Sequence, residues 1–106
     1  MRDETPAKAL RVLVVEDAPQ DAELVVRELR RGGYEPAWRR VDTREAMRAA
    51  LESQSWDLIL ADFAMPSFSA PEALALMKQA GLDLPFIIVS GTIGEEAAVE
   101  SLRAGG

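Results

Sequence analysis

The sequence predicts an α/β fold, a parallel sheet wound with helices on both faces. Short β-rich runs, three of them almost wholly apolar, recur along the chain, and between them lie segments whose apolar residues repeat at helical spacing. A further observation says where function should sit: acidic or hydroxyl residues stand directly after three of the runs. In open parallel sheets, ligands bind beyond the carboxyl ends of the strands, where the strand order reverses.

The first strand is predicted at residues 10–15 (LRVLVV), apolar enough to be buried on both faces, and it stops at Glu16 and Asp17. Pro19 suits a first helical turn, Ala22, Val25, Val26 and Leu29 form one stripe, and Gly32 and Gly33 supply a stop. Residues 34–41 (YEPAWRRV) make a weaker strand pattern, and Pro36 places it towards a sheet edge. Asp42 followed by Glu45 reads as a capping box for a second helix carrying Met47, Ala50 and Leu51 and running to about Ser53.

A third strand is predicted at residues 56–61 (WDLILA), followed by a loop to Ser69. Ser69 and Glu72 form a second box around Pro71, opening a helix that carries Leu74 and Met77 and ends near Gly81. Pro85 precedes a fourth strand at residues 86–89 (FIIV), and SGTIGEE leads into a last helix with Val99 and Leu102 facing inward. The order is β-α-β-α-β-α-β-α, with right-handed crossovers expected.

Composition narrows the chemistry. At 106 residues the chain is one domain by length. Its 48% hydrophobic and 28% charged residues are those of a globular protein. The formal charge is −6, and Arg27, Arg30, Arg31, Arg39 and Arg40 are interleaved with acids, which argues against direct nucleic acid binding. Without Cys or His there is no thiolate site, no imidazole ligand and no imidazole base. The polar opening MRDETPAKA and apolar runs of at most four or five residues give no sign of a signal peptide or membrane span, so a soluble, cytoplasmic protein is expected.

The strand tips carry Glu16 and Asp17, then Asp62, then Ser90. Each has an ordinary structural explanation: Asp17 as a helix cap, Asp62 as a turn anchor, Ser90 as a small polar terminus. Together they resist it, because like charges held within a few ångströms disfavour ionisation unless a cation or proton intervenes. An all-oxygen set suits Mg²⁺, and an acidic pocket with a metal and a hydroxyl suits a phosphoryl group, with an Asp carboxylate able to act as nucleophile.

On these residues the chain resembles the receiver domain of two-component response regulators. The likeness runs from "RVLVVEDAP" through "DLILADFAMP" and "FIIVSGT" to "SLRAGG". It implies a flavodoxin-like sheet of strand order 2-1-3-4-5. It implies that Asp62 is the phosphoacceptor, charged by a sensor histidine kinase, a phosphotransfer protein or a small phosphodonor. Asp17 and Asp62 would hold Mg²⁺ directly, Glu16 through water, and the Ala64 backbone carbonyl would complete the set. Ser90 would be the switch hydroxyl that meets the new phosphate. The receiver would catalyse only transfer to its own Asp, and partner affinity would then change by population shift.

Two departures bear on that expectation. Glu16 stands where the family more often has Asp, which keeps the charge. The essential family lysine, at the end of a fifth strand, has no counterpart in Lys8 or Lys78. Residues 1–9 are accordingly read as a polar extension and 10–106 as a receiver domain lacking its fifth strand and helix. The fourth strand would then be an open edge able to pair with another copy.

The alternatives are a degenerate or truncated receiver that binds partners without phosphorylation, a nucleotide- or flavin-binding domain of similar topology, and a hydrolase using the aspartates. EDAPQD after the first strand has no glycines and the wrong charge for a pyrophosphate. A hydrolase lacks a lid or second domain to exclude water. Phe63, next to the nucleophile, is open to shielding the acyl phosphate or to capping the local core; Phe68 and Trp38 are assigned to packing.

Overall fold

A computed structural model of the chain describes residues 8–62, 65 and 68–89. Within them lie β1 (Lys8–Val15), α1 (Pro19–Arg31), β2 (Tyr34–Val41), α2 (Arg44–Ser53), β3 (Leu58–Asp62), α3 (Ala70–Gln79) and β4 (Phe86–Val89). The strands form one parallel sheet in the order β2-β1-β3-β4. The expected last helix, with Val99 and Leu102, lies outside the described residues.

Alternation along the strands divides the core into two layers. From β1, Leu13 and Val15 join Ile59 and Ala61 of β3 against Met47 and Ala50 of α2 and Ala73, Leu76 and Met77 of α3. Val12 and Val14, with Leu58 and Leu60, face the other way onto Ala22, Val25 and Leu29 of α1. Residues 12–15 and 58–61 are buried throughout, as doubly covered strands must be. Trp56 is not in β3 but just before it, where it fills the α2 side and its Nε1 donates to the Ala50 carbonyl at 2.8 Å. Phe68 is buried on that side and Trp38 is half-buried against the α1 layer, both as packing residues.

The element ends show where local patterns were and were not decisive. Residues Lys8 and Ala9 belong to β1 rather than to a polar extension: they pair with Tyr34 and Glu35, and Lys8 N donates to the Gly33 carbonyl at 3.0 Å. Pairing carries the strand two residues past its apolar run. Gly33, at φ 99°, sits in the left-handed region where a side chain would be strained, and this turns α1 into β2.

The box at Ser69 forms in full, with Ser69 Oγ accepting from Glu72 N and Glu72 Oε1 accepting from Ser69 N. The box at Asp42 does not. Thr43 is the cap of α2, its hydroxyl accepting from Ala46 N at 3.1 Å, because Asp42 is still leaving β2 and pairs with Arg40. In α3, Met77 is buried as expected, whereas Leu74 is only partly so and Ala73 and Leu76 complete the stripe. No helix among the described residues is long and apolar enough to cross a membrane.

Candidate functional site

β1 and β3 are neighbours in register, Val15 opposite Ala61, so the chain leaves both strands at one rim. Asp62 is the last residue of β3, opposite Val89 of β4. Glu16 and Asp17 follow β1 directly. The fold therefore brings carboxylates from positions 16, 17 and 62 together, with one oxygen from each lying within 4.8 Å of the others.

The ordinary explanation for Asp17 does not hold in the structure. Ala18 is the N-cap of α1 and no side chain caps it. The Ala18 N–H is taken instead by Glu16 Oε2 at 3.2 Å. Asp17 is exposed, Asp62 half-buried and Glu16 buried.

Burial acts strongly on Glu16. Desolvation pushes its carboxyl up from 4.5 to about 7, against the Ala18 hydrogen bond, which lowers it. The charge of Asp62, a hydrogen bond with Asp17 and the charge of Asp21 add to the rise. A cluster that favours a proton near neutrality is one in which negative charge exceeds what the surroundings compensate. Among these donors there are only carboxylate oxygens, so the set fits a small hard divalent cation such as Mg²⁺.

After β3, Met65 and Phe68 are both buried in the α2 and α3 layer. The guanidinium of Arg44 lies 5.9 Å from the centre of the Phe68 ring and pairs with Glu72 at 3.5 Å. Ala64, Ser90 and Phe63, the other residues singled out in the sequence, lie outside the described residues.

One contact to the site had no signal in the sequence. Arg40, one of several interleaved arginines, donates from Nη1 to the Glu16 carbonyl at 3.1 Å. Only the parallel pairing of β1 with β2 brings the two together.

Comparison with known proteins agrees with this fold. The family model for "Response regulator receiver domain" matches residues 12–106. The chain is 36% identical over 95 residues to protein-glutamate methylesterase/protein-glutamine glutaminase 2 of Caulobacter vibrioides, covering 90% of this chain and 27% of that protein. It is 30% identical over 97 residues to response regulator protein FleR of Pseudomonas aeruginosa, covering 92% and 20%. Against the transcriptional regulatory protein YbdJ of Bacillus subtilis it is 28% identical over 98 residues, covering 92% and 42%. The chain thus spans less than half the length of each.

Among solved structures, a response regulator from Hahella chejuensis superposes with a TM-score of 0.66 at 27% identity, over 90% of this chain and 74% of that one. The signal receiver domain of NarL from Mycobacterium tuberculosis gives 0.64 at 26%, over 92% and 78%.

Proposed function

The chain belongs to the response regulator receiver domain family, and from that premise we propose that it accepts a phosphoryl group on the Asp62 carboxylate. The observation that carries the reading is the meeting of Glu16, Asp17 and Asp62 at the exits of adjacent parallel strands, within 4.8 Å of one another. A receiver in two-component signalling takes its donor from a sensor histidine kinase or a phosphotransfer protein, and a cytoplasmic location goes with that role. The receiver unit is assigned to residues 10–106, with Lys8 and Ala9 extending its first strand.

In this reading one Asp62 oxygen attacks the phosphorus in line with the leaving group. The new O–P bond makes an acyl phosphate as the donor N–P or O–P bond breaks; an imidazole leaving group takes its proton from solvent. Asp17 and Asp62 would hold Mg²⁺ directly, Glu16 through water and Ala64 through its carbonyl. When bound, the ion would offset the crowded negative charge and orient the phosphoryl oxygens. Glu16 would add its carboxylate charge to the pocket that holds the ion. Ser90 is the assigned switch hydroxyl, turning toward the phosphate so that a minor arrangement of the following segment becomes dominant. Among the described residues β4 pairs with β3, and self-association through this strand belongs to the same reading.

Intact-protein mass spectrometry after incubation with acetyl phosphate and Mg²⁺ tests the assignment. The expected result is one added phosphoryl group in the wild type and none in Asp62→Asn. Unchanged labelling in Asp62→Asn would remove Asp62 from the role. A wild-type chain that is never labelled, alone or within a longer parent, would favour the alternative of a module that binds partners without phosphorylation.

A further inference from the structure

β1 ends at Val15, and two contacts from β2 hold Glu16 at the rim just beyond it. The Glu16 N–H donates to the Val41 carbonyl at 3.0 Å, and the Glu16 carbonyl accepts from Arg40 Nη1 at 3.1 Å. The second contact depends on a side chain. Arg40 is steered in turn by Asp42, whose Oδ2 lies 3.5 Å from the same Nη1, and only 32% of the arginine side chain is exposed. The result is a brace reaching from the tip of an edge strand to the main chain of an acidic residue whose carboxylate turns inward.

We infer that Arg40 is a positioning residue of the acidic cluster: its hydrogen bond to the Glu16 carbonyl fixes the chain leaving β1 so that the Glu16 carboxylate is held beside Asp17 and Asp62. The inference rests on the reading of that cluster as the metal-dependent phosphoacceptor site. Outer groups that orient a metal's surroundings ordinarily strengthen its binding, and their loss weakens it.

Charge and position predict opposite signs here, which makes the inference testable. A guanidinium held against the Glu16 main chain brings positive charge to the rim and repels a second cation, so if Arg40 acted through charge alone its removal would tighten Mg²⁺ binding. If it acts by bracing the main chain, its removal frees Glu16 and weakens binding.

Calorimetric titration of the whole chain with Mg²⁺ at fixed ionic strength separates these outcomes. Arg40→Ala is expected to lower Mg²⁺ affinity by about fivefold to tenfold, at or just below the weak end of outer-group effects. Arg40→Lys, which keeps a donor able to reach the carbonyl, is expected to recover most of it. If Arg40→Ala does not fold, Arg40→Met preserves the aliphatic stem and carries the same comparison. Unchanged or tighter binding in the Ala or Met variant, or a Lys variant no better than Ala, would overturn the brace while leaving the phosphoacceptor reading intact. A wild-type chain that binds no Mg²⁺ would overturn both.

Discussion

At 7% exposure Glu16 is the one buried acidic side chain among the described residues, and its carboxyl is pushed up to about 7 from 4.5. The folded state therefore holds a proton that the unfolded chain has already released between those values. With more protons bound when folded, stability is highest below the unfolded value and falls as pH rises towards about 7. Denaturation by urea in the presence of a chelator should show that decline, and Glu16→Gln, which cannot ionise, should flatten it. Equal slopes in both proteins would exclude Glu16 as the cause. Asp57 moves the other way: hydrogen bonds from the side chain and backbone of Arg11 hold its carboxyl below the usual range. That pair is exposed and adds little. Glu16, Asp17 and Asp62 could be picked from the sequence because each follows an apolar run. Arg40 could not, since its partner stands 24 residues away.

The helices differ in how their starts are secured. α3 has a reciprocal box in which Ser69 and Glu72 each satisfy the other's main chain, and Glu72 also reaches Arg44 at 3.5 Å. Losing such a cap typically costs about 1 kcal/mol. Ser69→Ala should lower the stability measured by urea denaturation by that amount, whereas Ser69→Asp should largely preserve it. Because α3 follows the loop that leaves Asp62, the same cap also fixes where that loop ends. The box was legible because its two residues are three apart and bracket Pro71. The α2 cap was legible only to within one residue. Asp42 and Thr43 are both good caps by type, and what decides between them is that Arg40 engages Asp42 while Thr43 reaches Ala46 N.

At the scale of the molecule, two layers of side chains clamp the four strands of the described residues. Leu13 is fully buried between α2, α3 and β3, whereas Leu24 on α1 is 40% exposed. Leu13→Ala should cost about 2–5 kcal/mol, a large part of the roughly 5–15 kcal/mol that holds a domain folded. Leu24→Ala should stay within about 0.5 kcal/mol. Similar losses at the two positions in chemical denaturation would contradict the layering. The stripe of α1 was readable from spacing alone, since Ala22, Val25, Val26 and Leu29 are the residues it buries. The entry of Lys8 and Ala9 into β1 was not, because pairing with β2 rather than side-chain polarity extends that strand.

By itself, the sequence determined that a parallel α/β sheet would form and that two of its apolar strands would run into acids. Apolar runs buried on both faces and helical spacing are local properties of the chain. Only the tertiary structure decided that carboxylates from positions 16, 17 and 62 would meet within 4.8 Å and that Arg40 would brace one of them. Those contacts depend on strand order and register, which are set by packing across the whole sheet.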